Sequence, residues 1–172
     1  MTLTPGARKL LLTAHLVVSV GWIGAVIAYI ALDITAASSR DVAAVRAAYL
    51  AMEVLALYTI VPLSLIALVT GIVISLGTAW GLFRHYWVVI SLALTILAVS
   101  VLLVETRTIR EMAAIARSDA DPRQLPGTLV HSVGGLLILL LITVLNVYKP
   151  RGLTRYGWRK QQKQRALVPE RS

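Results

Sequence analysis

Three histidines and a few acids carry the chemistry available to this chain. His15 stands inside an otherwise uncharged apolar run, residues 10–32, and at 3.6 residues per turn it shares a face with Ser19, Trp22, Tyr29 and Asp33. If that run crosses a bilayer, the stripe must face protein, because a polar side chain is costly in hydrocarbon. Two chemistries fit His15. It can be a neutral histidine bonded to hydroxyls of neighbouring helices, at about 0.6 kcal/mol per bond in a bilayer, or a ligand for a haem iron or a proton relay. Matching depths across antiparallel spans sets it level with Thr70, Gly71, Ser91 and Thr143.

A second group falls at the opposite depth. His131 comes early in the last apolar run, near the level of Asp33, Glu53 and Glu105, which begin or end the other three. One imidazole and three carboxylates make a hard-ligand set for a divalent cation, or a path for protons. The plainer reading is interfacial salt bridges, with Arg40, Arg46 and Arg107 neutralising the acids. His85 follows Arg84 among aromatic residues and reads as a headgroup contact, or as a weaker second haem ligand. His15 and His131 stand about 15 to 20 Å apart along the membrane normal at 1.5 Å per residue, too far to share one iron. The chain has no cysteine, and it lacks a nucleophile elbow, a P-loop, a His-Glu-x-x-His pair and paired carboxylates within a span.

The elements that must position these residues are set by hydropathy. Of 172 residues, 58% are hydrophobic and 15% charged, against about 25% charged in soluble domains. Four runs, at about 10–32, 54–76, 86–104 and 129–147, are each long enough for roughly 30 Å of hydrocarbon. Backbone groups in lipid must be satisfied internally, and the ten-residue alternation of a barrel is missing, so the fold class is all-α: an antiparallel four-helix transmembrane bundle. The first run, at 23 residues, exceeds the roughly 7 to 15 of a signal-peptide core and is read as a retained span. Residues 1–150 form one membrane domain and 151–172 a basic cytoplasmic tail, partly disordered beyond Pro150-Arg151-Gly152.

The connections have their own grammar. Ser38-Ser39-Arg40-Asp41 reads as a capping box, and Val42, Val45, Tyr49 and Met52 follow at helical spacing, so an amphipathic helix should lead into the second span. Pro62 should kink that span and free the carbonyl of Tyr58. Trp80, Phe83, Tyr86 and Trp87 form an aromatic belt at the second connection. Residues 105–117 should prolong the third helix past the bilayer until Asp121-Pro122 and Pro126-Gly127 break it.

Charge is divided by side. Arg8, Lys9, Arg84 and the tail bring one face to +10, while the other carries −1, within a total of +9. By the positive-inside rule both termini are expected in the cytoplasm. The basic tail is then a topology signal that also meets anionic lipid headgroups, which removes the case for nucleic acid. Gly21 with Ala25 and Gly24 with Ala28 are small-x-x-x-small pairs, as is usual for packing within a bundle, with a homodimer as the other use.

The stretch His15-Leu-Val-Val-Ser-Val-Gly-Trp22-Ile-Gly24 resembles the opening of several bacterial four-helix membrane families. Among them are the copper-resistance D-type membrane domain and the haem-binding membrane protoporphyrinogen oxidase. With Gly81-Leu82-Phe83-Arg84-His85-Tyr86-Trp87 and Tyr148-Lys149-Pro150-Arg151-Gly152, the chain is most similar to an uncharacterised domain-of-unknown-function group, which implies a fold and no activity. Similarity to the oxidase would imply b-type haem at His15, but that family's basic residue in the third span is replaced here by Ser91, Thr95 and Ser100. The leading expectation is a non-enzymatic integral membrane protein. The alternatives are a b-type haem protein using His15, with His131 or His85, and a small cation or metal transporter using Asp33, Glu53, Glu105 and His131. Four spans without an inverted repeat speak against transport.

Overall fold

The computed structural model describes residues 3–78 and 81–166, with side chains through residue 162. The four-span, all-α architecture expected from hydropathy is what the chain forms. Helix α1 is Pro5–Ser38, α2 Val42–Gly77, α3 Tyr86–Arg117 and α4 Leu129–Tyr148, each apolar and long enough to span a membrane. A polar fifth helix, α5, follows at Arg155–Ala166. Because α1 to α4 run alternately up and down, the two ends of the bundle domain meet on one side, called here the termini end; Leu3 there donates its N–H to the carbonyl of Gly77 (3.3 Å).

Local sequence accounts for the boundaries. Thr4 caps α1, its hydroxyl accepting the Ala7 N–H, with Pro5 in the first turn where no donor is needed. The cap of α2 falls two residues past the serines: Asp41 accepts from the Ala43 N–H (3.0 Å). Ser38 instead stays in α1, returning its hydroxyl to Ile34, so the box read from Ser38 to Asp41 is a single aspartate cap. Helix α4 closes on Lys149 in the left-handed conformation (φ 45°), immediately before Pro150.

Helices α1, α2 and α3 outrun the bilayer. At 1.5 Å per residue, the 34 residues of α1 exceed a roughly 30 Å hydrocarbon layer by several turns. The overhangs pack together at the end away from the termini, called here the far end. Val45, Ala48, Tyr49 and Met52 of α2 bury against Ile109, Met112, Ala113 and Ala116 of α3. The lipid-depth surfaces behave differently: Leu16, Val20, Ile27, Leu137 and Val144 stay exposed on the outside of the bundle. Water enforces burial only where the helices leave lipid, and within lipid the apolar side chains can face the solvent they prefer.

Arg46 ties off this overhang. Its guanidinium donates to the carbonyls of Ala116 and Ser118, and to that of Ala120 at 3.3 Å, so a cation sits on the C-terminal carbonyls of α3. Of the arginines expected to neutralise the acids, Arg46 and Arg107 are used otherwise. Glu53 pairs with Arg117, Arg107 with its own-helix neighbour Glu111, and Arg123 with Asp121.

Helix α2 is not uniformly α-helical. Residues Ala56–Ile60 make a π turn, closed by the Val61 N–H donating to Ala56. The cause is one residue on. Pro62 has no N–H to return to the preceding turn, and widening that turn by one residue re-routes the backbone bonds.

The tail differs from its expected disorder. Thr154 receives the Gly157 N–H and gives its hydroxyl to Phe83 (2.5 Å), while Tyr86 N–H meets Gly152 O (3.3 Å) and Thr154 N–H meets Arg84 O (3.0 Å). These bonds pin 152–157 along the 83–86 turn and start α5. Gly157 lies against the backbone of Arg84, where a Cβ would overlap the carbonyl. Trp80 of the expected aromatic belt, and the tail after residue 166, lie outside the described residues.

Candidate functional site

At the far end, the C-terminal part of α1 and the first turn of α4 meet around Asp33. The side chain is fully buried (0% exposed). Its carboxylate receives the Thr128 N–H (3.3 Å), the Thr128 hydroxyl (2.7 Å) and the Ser132 hydroxyl (3.1 Å). Thr128 is the N-cap residue of α4 and makes no side-chain cap bond of its own. Asp33 therefore caps α4 from another helix, placing a carboxylate where the helix presents unsatisfied N–H groups and the positive end of its dipole. With the Thr128 hydrogen committed to Asp33, Tyr29 must be the donor in the 3.3 Å Tyr29–Thr128 contact, which gives a chain from Tyr29 through Thr128 to Asp33.

Behind this chain the four spans leave a cavity of ≈ 90 Å³. Its walls are apolar, including Trp22 and Val26 of α1, Ala56 and Ile60 of the π turn, Ala98 and Leu102 of α3, and Leu139 of α4. One end is polar, formed by Tyr29, Glu105, Thr128, His131 and Ser132. Two features of sequence leave the space open. Ala56 and Ile60, the ends of the π turn, both border it, and Gly135 contributes no side chain at a point where a Cβ would touch nothing within 4 Å.

Glu105 and His131 form the polar mouth. Their nearest atoms, Oε1 and Nε2, are 3.7 Å apart, with the glutamate side chain 20% and the histidine 57% exposed. That separation is too long for a hydrogen bond, so the Glu105 oxygen keeps acceptor capacity for another donor. An acceptor carboxylate facing an aromatic-lined void offers a place for one hydrogen-bond donor with an apolar body.

The four residues expected to share a cation are thus divided among three tasks. Asp33 caps α4, Glu53 pairs with Arg117, and Glu105 meets His131. Among the described residues, no three histidine, cysteine or acidic side chains stand close enough to hold one ion.

His15 lies toward the termini end, apart from this cavity. Its Nδ1 meets Thr70 Oγ1 at 2.8 Å. The ring lies over Gly71, where a Cβ would come within 3.2 Å of Cε1, so glycine is what lets α2 approach. Of the other residues expected at this level, Thr143 returns its hydroxyl to Leu139, and the buried Ser91 hydroxyl has no hydrogen-bond partner among the described residues. His85 pairs across an isolated bridge with Leu153 and sets its ring 6.4 Å from that of Trp87.

A haem does not fit this cavity. An engineered void of about 150 Å³ takes benzene; at ≈ 90 Å³ this one is smaller, and takes the end of a chain or a ring held partly in its open mouth. The histidine bordering it is His131, while His15 is engaged with Thr70 and Gly71.

Sequence reasoning placed Asp33, Glu105 and His131 at a common depth but missed Thr128, Ser132 and the cavity. Pro62 and Gly135 were the available signals: one forces an irregular turn, and the other removes a side chain from the facing helix. No protein-family model matches the chain, and the searches of curated proteins and of solved structures return no match.

Proposed function

We propose that this integral membrane protein binds a small, mostly apolar molecule with a hydrogen-bond-donating head, an alcohol or a protonated amine, in the cavity at the far end of the bundle. One observation carries the reading: an interhelical void, apolar on its walls, with the Glu105–His131 pair at its mouth separated by 3.7 Å. The ring or chain of the ligand occupies the void and its donor reaches Glu105. Trp22 and Tyr29 in the wall add an aromatic surface that favours a cationic head. The π turn suits this role, because such turns interrupt a helix where a site needs room.

The charge partition supports reading both termini as cytoplasmic, and on that reading this site faces the opposite side of an inner membrane. A fusion reporter after Ser172 tests that orientation, and an extracytoplasmic signal refutes it.

Benzylamine and benzyl alcohol are suitable probes, with toluene as the head-free comparison. The purified full chain should gain thermal stability saturably with benzylamine and benzyl alcohol, and less with toluene. Equal, non-saturating shifts for all three would show partitioning into the micelle and refute the site.

A further inference from the structure

A second concave surface lies at the termini end, away from the cavity. Tyr86, Arg151, Gly152, Arg155, Trp158 and Arg159 line an open groove of ≈ 600 Å³. Arg155 and Arg159 are one turn apart on α5 and so project from the same face, and Arg151 precedes Arg155 by four residues. On this side of the sequence the single acid is Glu170, so three guanidinium groups line one groove with little local compensation.

Depth decides what such a groove meets. Tyr86 is the first residue of α3, and Arg151 is three residues past the last residue of α4. The groove is therefore framed by the ends of two spans and stands at headgroup level whichever way the protein is inserted. Its position is fixed by backbone contacts: Tyr86 N–H to Gly152 O, Thr154 N–H to Arg84 O, and Gly157 pressed against Arg84. Trp158 and Tyr86 supply aromatic surface, the residue types that settle between acyl chains and headgroups.

We propose that the groove between the start of α3, the end of α4 and α5 is a binding site for the phosphate of an anionic phospholipid, held by Arg151, Arg155 and Arg159 with Trp158 against the glycerol and upper acyl region. Planar guanidinium forks match phosphate oxygens two at a time, giving a site more selective than a diffuse basic surface. The inference stands independently of the far-end cavity.

The test uses the purified full chain and measures retained lipid by native mass spectrometry, with phosphatidylglycerol against phosphatidylcholine. Wild type should retain phosphatidylglycerol about tenfold better. Arg155→Gln with Arg159→Gln should abolish the preference. Arg8→Gln with Lys9→Gln, which removes equal charge from the same side outside the groove, should preserve it. Trp158→Ala, leaving every charge in place, should lose part of it. Equal retention of the two lipids by wild type, equal loss in the Arg8/Lys9 variant, or full retention in both groove variants overturns the site. Displacement of the lipid by millimolar inorganic phosphate would also overturn it, by assigning the groove to the free anion.

Discussion

Replacing Asp33 by alanine should loosen the start of α4 and cost far more than a typical surface change. The carboxylate receives three bonds, from the Thr128 N–H (3.3 Å), the Thr128 hydroxyl (2.7 Å) and the Ser132 hydroxyl (3.1 Å). A hydrogen bond to a charged group contributes about 1.5–3 kcal/mol. Not all three are lost outright. Ser132 already lies 3.2 Å from the Leu129 carbonyl and can fall back on it, and the Thr128 hydroxyl can re-aim toward Tyr29. The Thr128 N–H has no such recourse and is left buried, so Asp33→Ala should cost about 3–5 kcal/mol. Asp33→Asn keeps the shape and one acceptor oxygen, and its amide can donate to a rotated Thr128 hydroxyl; about 1–2 kcal/mol is expected. Unfolding by sodium dodecyl sulfate in mixed micelles reads both values, and hydrogen exchange over 128–133 should localise the opening to the first turn of α4. If Asp33→Ala costs under about 1 kcal/mol, or if the two variants are equal, the cross-helix cap is not what holds α4 in place.

Other consequences are smaller or more local. Gly157→Ala should release α5, because the added carbon meets the Arg84 carbonyl, which cannot yield; accelerated exchange and tryptic cleavage over 152–166 would show it, and wild-type protection would refute it. Thr70→Val should cost only about 0.6 kcal/mol, the usual worth of a hydrogen bond between spans, despite the 2.8 Å contact with His15. Gly71→Ala should be more disruptive than Thr70→Val, since the new Cβ lies 3.2 Å from the His15 ring. Arg123 holds the Asp121 carboxyl down to about 2, from an ordinary value of 3.8. A depressed carboxyl contributes stability that is complete above its unfolded value and lost as pH falls through its folded one. The 121–124 turn should accordingly loosen between about pH 4 and pH 2, and Asp121→Asn should remove that dependence from hydrogen exchange of the turn.

The spans were legible because a bilayer permits few solutions: an uncharged run of about 20 residues in lipid must be helical, and four of them on short connections must alternate in direction. The continuation of α3 to Arg117 was legible for a related reason, since helical spacing persists there until Asp121-Pro122 stops it. Side-chain pairing was not. Asp33 was grouped with the other acids by depth, but its partners are hydroxyls, brought to it by the path of the Pro126-Gly127 loop, and depth says nothing of rotation about the helix axis. Arg46 illustrates the same limit: near acids in sequence, it instead finds the carbonyls that end α3. Helix α5 escaped detection because composition reported only charge, whereas its docking depends on Gly157 and Thr154 meeting the backbone of the 83–86 turn. The cavity needed two distant irregularities, the π turn before Pro62 and the bare Gly135, to coincide at one depth.

The measurement that bears most directly on the proposed function is the benzylamine affinity of three proteins side by side: wild type, Gly135→Leu and Glu105→Gln. Leucine at 135 grows into open space and fills the void, so binding of benzylamine and toluene alike should disappear. Glutamine at 105 leaves the void but removes the charge at its mouth, so benzylamine should weaken about tenfold while toluene is unchanged. Saturable binding by wild type, lost in the first variant and selectively weakened in the second, is the predicted pattern. Benzylamine binding that survives Gly135→Leu undiminished would contradict it.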